Sequence, residues 1–439
     1  MKLKIFSIMG TMAIMGCTCM NTTQVDGGVR NVTTIAESFG DGQKVSAVVI
    51  EYSKEIDATS LTADSYVVKG RKVEAVFTYD KAEKTAVSKT GRFVIVNLVY
   101  ENKWFAEGVN MFMGPKHDAK KDGGAKKGAG NGPRFIDDGK PVDLSVTVTQ
   151  VADIRAVDET IYPASQKPLL STASQELVIQ DFVRKYFTDA ETGITLPYFV
   201  YLPKGYSVEK RYPLVFFIPD ASADTSIETA TLTQGNGATI WATPEEQVKH
   251  PAIVVAVQYP YSVVKEFGPL TMDDHAWSKG LTAVDNLLRD IMERYAVDKN
   301  RIYGTGQSQG CMSNIALSDR HPDLFAAQYL VAGQWDVSEM TAMKDKKLWI
   351  LVCEGDAKAY PAMTEAMNLW KSLGAKTAWG DGFWNLKFSR EEMQQNVKAM
   401  LAKDADIRMN VFAGGGHMVT WSVAYNIEGI RDWLFEQSK

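Results

Sequence analysis

The alternation of apolar and polar positions changes character along the chain, and the change divides it in two. Short runs with a period of two come first: KVSAVVIEY at 44–52, SYVVKG at 65–70, KVEAVFTY at 72–79, RFVIVNLVY at 92–100 and VDLSVTVTQV at 142–151. A pattern that turns every second side chain inward predicts strands with one face on a core, and no helix-length pattern interrupts them. Residues 32–160 are therefore expected to form a small all-β sandwich. From about residue 170, continuous apolar runs alternate with amphipathic stretches. PYFVYLP (197–203), PLVFFIP (213–219), AIVVAVQY (252–259), RIYGTG (301–306), AQYLVAG (327–333), KLWILVCEG (347–355) and DIRMNVFAG (406–414) read as strands, several of them buried on both faces. Helices are predicted over 280–296, 308–319, 361–373, 389–403 and 421–437, so residues 170–439 should form a mostly parallel sheet with helices on both faces.

Two segments carry no such pattern. Residues 114–133, GPKHDAKKDGGAKKGAGNGP, offer no apolar face to bury and predict a flexible loop inside the β-rich region. At the start, Lys2 and Lys4 precede an apolar stretch too short to span a bilayer, so residues 1–16 read as an export signal and 17–31 as a flexible tether. Ile14-Met15-Gly16-Cys17 is similar to a lipobox, in which the Cys17 thiol takes a lipid, although Met15 is atypical there. The alternative is a cleaved signal without lipid. No later stretch stays apolar over roughly eighteen residues, so lipid on Cys17 is the one route to a membrane. The expected location is extracellular, periplasmic or lipid-anchored at a bacterial cell surface.

Composition then removes whole classes of function. With 45% hydrophobic and 23% charged residues, the 439-residue chain has the make-up of an ordinary globular protein. A net charge of -5 supplies no basic surface for a phosphate backbone, which sets nucleic acid aside as a partner. The four cysteines are too few for a disulfide scaffold, and Cys311 and Cys353, each beside apolar residues, are expected to be buried free thiols. Neither an H-E-x-x-H nor a phosphate-binding glycine loop occurs, so no metal and no cofactor is implied.

The sharpest chemical signal is Gly306-Gln307-Ser308-Gln309-Gly310, which follows the strand RIYGT and precedes the helical stretch CMSNIALSDR. A serine in a tight strand-to-helix turn projects its hydroxyl outward, and glycines two residues to either side let the backbone crowd without Cβ clashes. Such a nucleophile needs a base. His321, in DRHPDLF at the end of that helix, suits a surface or capping role, whereas His417 follows a strand and Gly414-Gly415-Gly416 and can reach the nucleophile. Asp356, at the end of KLWILVCEG, is the chosen acid, with Glu354 and Asp381 as alternatives. The oxyanion hole is expected from the backbone N–H groups of Gln309 and of Ala221, in the loop after 213–219. Tyr259, Trp277, Trp335 and Trp421 are candidate pocket residues, each of them equally able to serve as packing.

RIYGTGQSQGCMSN, HPDLFAAQYLVAGQWD, EGDAKAYPAM and GGGHMVTWSVAYNIEGIRDWL together resemble the polyhydroxybutyrate-depolymerase-like and feruloyl-esterase-like branch of the α/β-hydrolases. The β-rich region resembles the immunoglobulin-like domain found ahead of some of these esterases. The resemblance implies an exported carboxylic ester hydrolase of α/β-hydrolase fold preceded by an immunoglobulin-like sandwich, with Ser308 and His417 at the family's nucleophile and base. Many relatives carry His-Gly where this chain has Pro219-Asp220, and their H-G-x-x-D pattern places its acid at Lys358 here. The substrate stays open between an esterified plant polysaccharide and another ester polymer or its fragments. A serine peptidase of related fold and a non-catalytic polysaccharide-binding protein remain as alternatives.

Overall fold

The computed structural model describes residues 28–103 and 139–439. The export signal, the lipobox with Cys17, the loop 114–133 and most of the tether lie outside the described residues. Among the described residues, 28–33, 48–97 and 146–173 group into one compact unit, and 34–47, 98–103, 139–145 and 174–439 into a second.

The β-rich region contains β1 (Val29–Phe39), β2 (Gly42–Ile56), β3 (Tyr66–Val68), β4 (Val73–Tyr79), β5 (Gly91–Leu98), β6 (Thr147–Gln150), β7 (Ile154–Arg155), β8 (Ile161–Tyr162), β9 (Leu169–Leu170) and β10 (Ala173–Glu176). They form sheets in the orders β10-β1-β2-β5-β4, β3-β6-β9 and β7-β8. Strand β1 begins at Val29, inside the stretch read as tether, because its valine and isoleucine side chains are buried in the sheet. The first unit also buries polar groups, and three of them, Tyr52, Tyr66 and Gln150, are paired with one another. The Tyr52 hydroxyl donates to Gln150 Oε1 at 2.6 Å and lies 2.8 Å from the Tyr66 hydroxyl, so none of these groups carries an unsatisfied desolvation cost.

The second unit is built on one mixed sheet. Its strands are β11 (Val183–Thr188), β12 (Thr195–Tyr201), β13 (Tyr212–Ile218), β14 (Ile253–Val257), β15 (Val297–Gln307), β16 (Ala327–Val331), β17 (Leu348–Cys353), β18 (Thr377–Trp379) and β19 (Ile407–Phe412). Their order is β11-β12-β14-β13-β15-β16-β17-β19-β18. The β11–β12 and β12–β14 pairs are antiparallel, and every other pair in the sheet is parallel. The helices are α1 (Ala230–Thr233), α2 (Pro244–Lys249), α3 (Tyr261–Phe267), α4 (Lys279–Arg294), α5 (Gln309–Arg320), α6 (Ala359–Ser372), α7 (Arg390–Leu401), α8 (His417–Ala424) and α9 (Glu428–Phe435).

The continuous apolar runs follow from burial on both faces. Along β13, Leu214, Phe216 and Ile218 enter one core cluster, while Val215 and Phe217 enter the other. Each such side chain removed from water contributes about 1.5–3 kcal/mol. Helix α4 shows the complementary logic: Leu281, Val284, Leu288 and Ile291 are buried at helical spacing, and the Ser278 hydroxyl caps the start by accepting from Leu281 N–H at 3.0 Å.

The predicted tail helix over 421–437 is two helices, broken at Tyr425–Ile427. Buried Arg431 supplies the reason: its Nη1 donates to Tyr425 O at 2.6 Å, satisfying a carbonyl that a continuous helix would have used. Its Nε is held in turn by Glu246 at 2.8 Å. Helix α8 starts at His417, earlier than the pattern indicated.

Candidate active site

Strand β15 runs directly into α5 with Ser308 alone between them, at φ 51° and ψ −120°. A non-glycine residue held there stores roughly 1–3 kcal/mol of strain, which the surrounding structure must impose. The imposing groups are visible. A Cβ added at Gly310 would lie 1.8 Å from the Ile218 carbonyl oxygen, and one at Gly306 2.4 Å from the same atom, so the end of β13 presses against the turn from both sides. Asn314, on the first turns of α5, donates to Thr305 O at 3.0 Å and Gly310 O at 2.8 Å and ties strand end to helix start. Ser308 N–H donates to Val331 O on the neighbouring strand at 3.1 Å.

Asp356 lies in the turn after β17 and is 3% exposed. Its Oδ1 accepts from the N–H groups of Lys358 at 3.1 Å and Ala359 at 3.0 Å, which leaves Oδ2 facing His417 Nδ1 at 2.6 Å. Burial alone would raise this carboxyl's pKa, but the His417 hydrogen bond and charge and the two backbone donors outweigh it and hold the group below its ordinary value. His417 Nε2 lies 2.8 Å from Ser308 Oγ. The histidine opens α8 after Gly414 and Gly415, both at positive φ, and Glu354 fixes this glycine loop by accepting from Gly414 N–H at 2.9 Å. The structure thus brings Ser308, His417 and Asp356 into one hydrogen-bonded line. Of the alternative acids, Glu354 serves the glycine loop, and Asp381 pairs with Lys403.

The loop after β13 carries a clamp that no spacing rule signals. Gln307 and Gln309 flank Ser308, and their side chains reach Asp220 at 3.1 Å and Asp224 at 3.1 Å. Gln258 donates to Ala223 O at 2.6 Å. The loop holding Ala221 is therefore fastened to the nucleophile turn itself. Among the described residues, neither Ala221 N–H nor Gln309 N–H has an acceptor. Burial pushes the Asp224 carboxyl well above the usual carboxylate range; the Gln309 hydrogen bond opposes this only in part, and the Asp220 charge adds to it. The folded protein consequently keeps this proton to higher pH than the unfolded chain does, so stability declines as pH rises from the ordinary carboxyl range to the raised value and is level above it. In melting curves from about pH 4 to pH 9, Asp224→Asn should match the parent at the acid end and become the more stable protein as pH rises. Parallel curves would refute the assignment.

The aromatic candidates divide. Trp421, one helical turn after His417, sets its ring edge-on to the imidazole at 5.1 Å between centroids. Trp335 follows β16, is 3% exposed and donates to Glu339 at 2.8 Å. Half-buried Trp277 donates to Thr282 at 2.8 Å beneath the Arg320 guanidinium. Tyr259 is fully buried with its hydroxyl on Gly268 O at 2.9 Å, which makes it core. Lys358 pairs with Asp273 at 2.6 Å. His321 caps α5 and meets Asp285 at 2.9 Å, as a structural histidine would. Cys311 and Cys353 are buried and unpaired, and burial pushes the Cys353 thiol up to about 12. Glu246, His250 and Asp432 bring ligand-type atoms within 4.8 Å of one another. Arg431 holds Glu246, and Lys249 reaches within 3.9 Å of Asp432, so the cluster is an ion-pair network.

Comparison with known proteins gives one domain match and several similar solved structures. The esterase Ig-like N-terminal domain model matches residues 31–163. No curated protein matches the chain in sequence. Among solved structures, the crystal structure of a thermostable esterase aligns over 94% of this chain and 100% of its own, at 25% identity and a TM-score of 0.71. The feruloyl esterase module from Clostridium thermocellum aligns over 56% of this chain and 86% of its own, at 13% identity and a TM-score of 0.38. An acetyl xylan esterase from Aspergillus awamori aligns over 57% and 98%, at 16% identity and a TM-score of 0.36. The chain is a carboxylic ester hydrolase of α/β-hydrolase fold that carries an esterase Ig-like N-terminal domain.

Proposed function

We propose that Ser308 attacks the ester carbonyl, that His417 Nε2 takes its proton and returns it to the leaving alcohol, and that water then cleaves the acyl-enzyme by the same route. Asp356 holds the imidazole with Nδ1 protonated, so that Nε2 presents its lone pair to the serine, and stabilises the cation formed during transfer. The N–H groups of Gln309 and Ala221 receive the negative charge of the tetrahedral intermediate. The observation that carries this reading is the pair of His417 hydrogen bonds, 2.8 Å to Ser308 and 2.6 Å to Asp356. The upward shift of the Asp224 carboxyl behind the loop fits the same scheme, since it disfavours a buried anion that would oppose the developing oxyanion.

The reading extends to place and substrate. The basic, apolar start of the sequence supports export, with lipid on Cys17 as one form of it. The substrate class is an ester on a plant polysaccharide, another ester polymer or their fragments, and Trp277, Trp335 and Trp421 remain the aromatic candidates for its pocket, Tyr259 being core. The test is hydrolysis of a chromogenic series from acetyl to octanoyl esters plus a feruloyl ester. Turnover on at least one member is expected, with the chain-length profile sizing the acyl pocket. A folded protein inactive on every ester and active on peptides would overturn the proposal.

A further inference from the structure

A cavity lies at the β18 edge of the sheet, formed because the chain leaves β19 and returns to it. Gly380 N–H still donates to Met409 O at 3.1 Å and Trp384 N–H rejoins at Val411 O at 2.7 Å, while Asp381, Gly382 and Phe383 bow outward between them. With Asn396, Ala399, Met400 and Lys403 on the α7 side, the bow lines a partly open cavity of about 180 Å³. One water needs only roughly 10–15 Å³ of such space, so a single solvent molecule does not fill it.

Asn410 of β19 stands in its wall, 1% exposed, with an amide nitrogen that has no partner. The orientation of that amide is fixed. Trp349 Nε1 donates to Asn410 Oδ1 at 3.0 Å, and an indole N–H can only donate, so Nδ2 is the end left toward the cavity. A buried donor without an acceptor costs as much as a lost hydrogen bond, and that cost is recovered when an acceptor arrives. Gly380 keeps the approach open, since a Cβ there would stand 2.8 Å from Nδ2 and 3.6 Å from Trp384 Nε1. The indole N–H of Trp384 has no acceptor among the described residues either, and the Phe383 ring at the rim is 46% exposed. The charged groups of the lining, Asp381 and Lys403, neutralise each other.

We propose that this cavity binds one uncharged sugar ring, whose oxygens accept from Asn410 Nδ2 and Trp384 Nε1 while its C–H face lies on Phe383. A site with two neutral donors, a self-neutralised ion pair and an exposed aromatic ring supplies no net charge to hold an ion and suits a hydroxyl-bearing, ring-shaped ligand. The site is separate from Ser308 and does not depend on the catalytic assignment.

The test titrates the full chain with methyl β-glucopyranoside, methyl β-xylopyranoside and methyl α-mannopyranoside, read by calorimetry and ligand-observed NMR. A ligand of about a dozen heavy atoms should bind with Kd on the order of 1–10 mM. Gly380→Ala should abolish binding, and Phe383→Ala, at a ring that is 46% exposed, should weaken it roughly 3- to 10-fold. Hydrolysis of a small acetyl ester should stay unchanged in both. The proposal fails if none of the three glycosides binds, if Phe383→Ala and Gly380→Ala bind as the parent does, or if a structure soaked in the tightest glycoside holds only water in the cavity. Should Gly380→Ala not fold, Phe383→Ala decides alone.

Discussion

Ser308→Ala is expected to lower kcat/KM by about 10⁴- to 10⁶-fold while moving Tm by no more than about 3 °C. The size follows from the arrangement: His417 Nε2 has one partner, Ser308 Oγ at 2.8 Å, and without that oxygen the base has nothing to deprotonate and no acyl-enzyme forms. The small stability change follows because only one interaction is lost and the backbone strain is unchanged. The variant loses one half-exposed hydrogen bond, worth about 1 kcal/mol, and keeps the positive φ that the Ile218 carbonyl and the two glycines impose. Ser308→Gly separates the two effects, since glycine adopts φ 51° without strain and should melt higher than Ser308→Ala while being as inactive. Ester turnover within 10-fold of the parent in either variant would exclude Ser308 as nucleophile.

What could be read from the sequence was what local spacing encodes. Gly306-Gln307-Ser308-Gln309-Gly310 announces its turn because the geometric demand falls on residues two positions away, and His417 and Asp356 announce themselves because each lies just past a continuous apolar run. The remainder depends on partners distant in sequence. Gln307 meets Asp220 across 87 positions and Gln309 meets Asp224 across 85, so the fastening of the oxyanion loop has no local pattern. The tail broke at Tyr425–Ile427 because Arg431 takes the Tyr425 carbonyl, a tertiary choice that no local spacing encodes. Strand β18 has three residues, too few to establish an alternation, and so the bow at 381–383 and the cavity behind it were hidden too. Tyr259 looked like a loop aromatic because its run ends there; whether such a ring lines a cleft or fills a core depends on helix α4, where Gly280 admits it.

Asp356→Asn should cost about 10⁴-fold in kcat with little change in melting temperature, and the direction of its hydrogen bonds explains why so isosteric a change does so much. The N–H groups of Lys358 and Ala359 both point at Oδ1, so an asparagine must put its carbonyl oxygen there and turn its amino group toward His417 Nδ1. The imidazole then accepts at Nδ1 and carries its proton on Nε2. In that tautomer it faces Ser308 as a donor and cannot act as its base. The amide still fills the space of the carboxylate and still touches the imidazole, so packing is preserved and lost chemistry is separated from lost structure. Tm is expected to hold, KM to move little, and kcat alone to fall. NMR of the ring nitrogens checks the cause directly, with the proton on Nδ1 in the parent and on Nε2 in the variant. A variant that keeps kcat within 10-fold of the parent would instead place the orienting charge elsewhere, with Glu354, already bonded to the glycine loop before His417, the next residue to replace.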